Sequence, residues 1–147
     1  MKVLNEMDLS FDSRSSNESF ARSAVSAFIA QLDPTIGELN ELKTAVSEAV
    51  TNCIVHAYKN EIGRITVNVK LLPDSAVIIR IKDSGCGIEN IEQAMEPLYT
   101  TASGDERAGL GFAVMQSFSD SLNVRSRPQK GTTVTLKKKL SRRISND

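Results

Sequence analysis

Val3, Met7, Leu9 and Phe11 occupy odd positions with mostly polar residues between them, the period of two expected of a half-buried strand. The period then changes. Phe20, Ala24, Ala27, Phe28 and Leu32 recur at helical spacing, and Ser15 with Glu18 just before them has the spacing of a capping box. Asp33-Pro34 ends this helix, because the residue before a proline is driven out of the helical region. Thr35 and Glu38 repeat the box, and Leu39, Leu42, Val46, Ala49, Val50 and Cys53 give a second helix a long apolar face. That helix is predicted to run to about His56 or Ala57.

Two runs rich in β-branched residues follow, RITVNVKLL (64–72) and AVIIRIKD (76–83), joined by the turn residues Pro73-Asp74-Ser75. Residues 95–108 hold no sustained period and are predicted to form a long mobile loop. GLGFAVMQSFSD then reads as a short helix opened by glycines. SLNVRSR and TTVTLKKKL, linked through Pro128-Gln129-Lys130-Gly131, form a last hairpin, and 141–147 is a frayed tail. This order predicts an α+β domain of two layers, with helices on one face of a mainly antiparallel mixed sheet.

Length and charge narrow the reading. The chain has 147 residues and 40% hydrophobic content, which is one domain, 1–147, with a single core. Eighteen acidic and eighteen basic side chains cancel, so the overall field does not point to nucleic acid or an anionic membrane. The basic cluster Lys137 to Lys139 with Arg142 and Arg143 is read as solvation of an edge strand and tail. With no apolar run approaching a membrane span and an N-terminus that alternates, the expectation is a soluble, cytoplasmic protein. Cys53 and Cys86 lie in unrelated contexts, and His56 is the single histidine, which excludes a multi-histidine metal site.

Four stretches carry candidate chemistry, each with an ordinary explanation beside it. Asp83-Ser84-Gly85-Cys86-Gly87 puts a carboxylate at the end of a strand and glycines after it, which suits a turn as well as a nucleotide pocket. Gly109-Leu110-Gly111 opens a helix, where free amides favour phosphate oxygens and where backbones also pack closely. Glu48, Asn52 and His56 share one helical face, as any solvated stripe does. Gly131-Thr132 leads into the last strand, where threonine is favoured by propensity alone.

Taken in order, these stretches resemble the N, G1 and G2 boxes and closing threonine of the GHKL ATPase superfamily, which has the Bergerat nucleotide fold. NESFARSAVSAFIAQLDPTIGELNELKTAVSEAVTNCIVHAY, EPLYTT and ERAGLGFAVMQSF are further similar to the sporulation anti-sigma serine kinases of spore-forming bacteria, a likeness that covers nearly the whole chain. The resemblance implies a Bergerat two-layer sandwich and ATP with magnesium as cofactors. Asp83 would accept a hydrogen bond from the exocyclic amine of adenine, and Thr132 would support the same edge. Gly85 and Gly87 would let the backbone approach the purine. Asn52 would hold the magnesium ion, and Glu48 would be the general base. The segment of about 95–108 would be the ATP lid, with Thr100, Thr101, Arg107, Gly109 and Gly111 toward the phosphates. Lys59 is a further candidate there, beside its ordinary role as a helix C-terminal charge.

The resemblance also implies the partners. These are a sporulation sigma factor, held in the presence of ATP, and an anti-anti-sigma protein phosphorylated on serine. Arg14, Glu18 and Arg22 recur every four residues on the first helix and are the candidate docking stripe, against the alternative of plain solvation. The strand 2–12 is a candidate two-fold contact of a homodimer. A clamp ATPase would need a transducer domain after the nucleotide fold, and a sensor histidine kinase a phosphoacceptor histidine outside it. Neither is expected here. General-stress anti-sigma kinases have degenerate G1 glycines, unlike DSGCG. A nucleotide-gated binding module with little turnover stays open as the other class.

Overall fold

A computed structural model describes residues 2–96 and 111–141. Five strands form a sheet of order β1-β2-β3-β5-β4: β1 (Asn5–Asp12), β2 (Arg64–Leu72), β3 (Ala76–Asp83), β4 (Ser121–Arg127) and β5 (Gly131–Lys139). All four pairings are antiparallel, so the sheet is not mixed among the described residues. The α-helices are α1 (Ser16–Ile29), α2 (Ile36–Asn52), α3 (Ile91–Ala94) and α4 (Gly111–Ser117), with short helical turns at Ala30–Leu32, Cys53–Ala57 and Pro73–Ser75. The strand alternation decides which face is covered. Ile65, Val67 and Val69 of β2, Val77, Ile79 and Ile81 of β3, and Val134 and Leu136 of β5 are buried in one core with α1, α2 and α4. The intervening residues, among them Arg80 and Lys82, lie on the open face.

The first helix departs from its predicted face by one position. Its core residues are Ala21, Val25 and Ile29, whereas Phe20 is 51% exposed. Two large rings at 20 and 28 drew the predicted stripe toward themselves, but a small residue at 21 permits close approach to α2. The Ser15 box also fails to form: Ser15 makes no side-chain cap, and Glu18 instead accepts a hydrogen bond from Ser47 on α2.

The second box forms as predicted. Glu38 N–H donates to Thr35 Oγ1 at 3.1 Å, and the Glu38 carboxylate accepts the Thr35 N–H at 2.9 Å. Glu38 also accepts the Ser141 N–H at 2.6 Å, which ties the chain after β5 to the start of α2. Desolvation pushes its pKa upward, but the Thr35 and Ser141 donors prevail and hold it below the ordinary carboxylate range. A depressed native pKa means stability present near neutrality and lost as pH falls through that value. Replacing Glu38 by alanine is expected to lower unfolding stability by about 1–2 kcal/mol at neutral pH. Urea unfolding checks this, and glutamine should recover part of the loss.

Helix α2 does not continue regularly to Ala57. After Asn52 it widens into a π turn over Cys53–Ala57, closed by the Tyr58 N–H on the Cys53 carbonyl at 3.1 Å. Such bulges redirect carbonyls that a regular helix would consume.

Candidate functional site

The π turn, the end of β3, the loop after it and the start of β5 meet at one place. The Ala57 carbonyl accepts the Cys86 N–H at 3.0 Å, and the His56 carbonyl accepts the Cys86 thiol at 3.2 Å. The Cys86 carbonyl in turn accepts the Gln129 N–H at 2.6 Å from the β4–β5 turn. Tyr58 donates its hydroxyl proton to the Arg64 carbonyl at 2.5 Å and accepts the Ser84 N–H at 2.7 Å. The loop 84–87 is thus gripped from both sides.

Asp83 continues the buried row Val77, Ile79, Ile81 along β3, so alternation alone delivers a carboxylate to the core face of the sheet. It is 5% exposed. Oδ1 accepts the N–H of Gly85 at 2.9 Å and of Thr132 at 3.3 Å, and Oδ2 accepts the Cys53 thiol at 3.4 Å. Desolvation raises its pKa above the ordinary aspartate value, while those donors act in the opposite direction. Burial likewise pushes the Cys53 thiol well up, reinforced by the Asp83 charge, so Cys53 stays protonated.

Asp83 lines a cavity of about 340 Å³, with Asn52, His56, Lys59, Gly87, Thr132 and Phe112 among its walls. The Thr132 hydroxyl hydrogen-bonds Ser126 Oγ at 2.8 Å, and Ser126 Oγ accepts the Ile88 N–H at 2.7 Å. Gly111 begins α4 beside Asn52, where a Cβ would sit 3.1 Å from both Asn52 side-chain amide atoms.

The predicted residues separate into three groups. Asn52, Asp83, Gly87 and Thr132 come together in the cavity wall, and Lys59 joins them. Glu48 is half-buried one turn before Asn52 and is not among the lining residues, while Gly85 lines the neighbouring groove beyond Cys86. Thr100, Thr101, Arg107 and Gly109 lie outside the described residues, as do most of the predicted lid and the tail from 142.

The glycines of this loop also have a steric reason within the chain itself. A Cβ on Gly85 would lie 2.4 Å from the Ala57 carbonyl oxygen. One on Gly87, with φ +76°, would lie 2.1 Å from the Arg127 carbonyl oxygen. Both spaces are filled by the chain's own backbone. The candidate docking stripe is partly occupied internally: Glu18 pairs with Arg22 at 3.8 Å in addition to Ser47, and Arg14 is exposed.

Residues 11–138 match the family described as Histidine kinase-like ATPase domain, and the chain belongs to that family. It is 56% identical over 97% of its length to the anti-sigma F factor of Caldanaerobacter subterraneus subsp. tengcongensis, covering 99% of that protein. It is also 51% identical to the anti-sigma F factor of Geobacillus thermodenitrificans, covering 94% of each chain. Among solved structures it is similar in fold to the RsbU and RsbW domains of a Mycobacterium tuberculosis protein. There the TM-score is 0.70 at 20% identity, with 95% of this chain and 33% of that chain covered. The histidine kinase domain of an Erythrobacter litoralis blue-light activated kinase is a further neighbour, at a TM-score of 0.57 and 18% identity, covering 84% of this chain and 60% of that one. No helix among the described residues is long and apolar enough to cross a membrane.

Proposed function

We propose that the chain is an ATP-dependent anti-sigma factor and protein serine kinase of the cytoplasm. It holds sigma factor F when ATP is bound and phosphorylates a serine of an anti-anti-sigma protein. The name shared by its relatives supports the sigma partner. The observation that carries the nucleotide reading is Asp83: a buried carboxylate, fixed by two backbone amides, in the wall of a cavity of ligand size. The donor set suits adenine, because a carboxylate accepts from an exocyclic amine and repels a carbonyl edge. It also suits a magnesium-bound phosphate chain, since Asn52, whose side chain carries an amide oxygen, lies in the same wall.

Magnesium-bound ATP, when present, supplies the transferable phosphoryl group and neutralises its charge. The protein's own residues do the rest. Asp83 and Thr132 would orient the base, and Asn52 would supply an oxygen to the metal. Glu48 takes the proton from the attacking serine hydroxyl, and Thr100, Thr101, Arg107 and Gly109, with Gly111, attend the phosphates. The chain works as a dimer through β1, which lies at an edge of the sheet. Glu18, Arg22 and Arg14 contribute to the partner surface.

The test is nucleotide affinity against pH. Because the Asp83 pKa is raised, its carboxylate is protonated on acidification before an ordinary aspartate would be, and a protonated oxygen loses its acceptor role. Affinity for ATP should therefore fall above the usual aspartate range as the pH is lowered. Asp83→Asn should lower it about ten- to a hundredfold at neutral pH. The asparagine variant has no carboxyl to protonate at this position and should lose that pH dependence. Unchanged ATP affinity in Asp83→Asn would overturn the reading.

A further inference from the structure

The residue after Asn52 is Cys53, whose thiol touches the Asp83 carboxylate. An ionised carboxylate offers about four lone-pair sites, two on each oxygen. On Asp83, Oδ1 receives the two backbone amides of Gly85 and Thr132, which fill its sites. Oδ2 receives the Cys53 thiol at 3.4 Å. That bond leaves Oδ2 one site. Cys53 is 4% exposed and is itself part of the cavity wall.

We propose that Cys53 is a positioning residue for nucleobase selection: its thiol anchors Asp83 Oδ2 so that the remaining acceptor site meets the amine of the bound base. This rests on the cavity being an adenine site and adds a residue to it. Cys53 stands at the end of α2, its own N–H on the Ala49 carbonyl, and the π turn begins with it. A regular helix would place no special demand on this position, and an apolar residue of similar size would satisfy the core equally well. The thiol differs from such a residue only in its S–H, which is a weak donor made more effective by a charged acceptor in a buried setting.

The experiment compares ATP with purine riboside 5′-triphosphate, which has the same ring and phosphates but no exocyclic amine. Equilibrium binding is measured in EDTA, so that metal coordination by Asn52 does not enter. The unmodified protein should prefer ATP. In Cys53→Ala, affinity for ATP should fall about three- to tenfold, while affinity for the amine-free analogue stays within about twofold. Cys53→Ser, which keeps a donor, should restore the preference. Cys53→Val, which keeps an apolar wall without a donor, repeats the comparison should the alanine variant fail to fold. An equal loss for both nucleotides, or no loss, would show that Cys53 only fills space and would overturn the proposal. A wild-type protein with no preference between the two would instead overturn the adenine reading of Asp83.

Discussion

Glu48→Gln is expected to leave ATP binding intact and to slow phosphoryl transfer about a hundred- to ten-thousandfold, the usual contribution of a positioned general base. The substitution preserves size and one amide oxygen, so α2 should pack unchanged. Glu48 is half-buried, one turn before Asn52, and outside the wall of the Asp83 cavity. That separation is what makes the two functions divisible. A residue that lined the cavity would affect binding and transfer together, whereas a base acts only on the hydroxyl that attacks. Single-turnover transfer with saturating ATP, beside equilibrium ATP binding, checks the expectation. Parallel loss of both would move Glu48 into the binding machinery, and unaltered transfer would remove it from the role of base.

Gly131→Ala should be strongly damaging to the fold. Gly131 has φ +118°, a conformation that side-chain-bearing residues rarely adopt, and its Cβ would lie 2.2 Å from the Asp83 carbonyl oxygen. Both positions belong to paired strands of one sheet, β5 and β3, so neither backbone can yield cheaply. Strain and overpacking together should cost about 3–5 kcal/mol, a large share of the 5–15 kcal/mol typical of a domain. The melting temperature should drop by roughly 10 °C or more. Gly37→Ala is the control. Its Cβ would approach nothing closer than Thr35 Oγ1 at 3.9 Å, in an exposed helical turn, so a neutral or slightly stabilising effect is expected. Calorimetry of the two variants checks the contrast, and equal melting temperatures would refute it.

The same contrast shows what the sequence discloses and what it withholds. Strands with period-two alternation, such as 64–72 and 76–83, and the Thr35 cap declare themselves, because local chemistry and burial agree there. The face of α1 did not, since Phe20 and Phe28 carry more apolar area than Ala21 and Val25, yet packing against α2 favours the smaller residues. The Ser15 box lost to a tertiary partner, Ser47, that no local window contains. Asp83 was legible as a polar residue ending an apolar run, and Asn52 and Thr132 by their motif spacing. Cys53, Tyr58 and Ser126 were not, because their roles depend on the π turn and on strand neighbours. The glycines of the Asp83 loop stand out in the sequence, but the pattern cannot tell a space kept for a ligand from one filled by the Ala57 or Arg127 carbonyl.

The central claim is that this ATP-binding domain transfers phosphate to a protein serine. The direct measurement incubates the chain with magnesium, γ-labelled ATP, sigma factor F and the anti-anti-sigma protein from a spore-forming relative, followed by acid treatment. The account predicts acid-stable label on the anti-anti-sigma protein, absent with Glu48→Gln, and sigma factor retained only while ATP is bound. No label on any protein, with ATP still bound and sigma factor still retained, would contradict the kinase and leave a nucleotide-gated binding module.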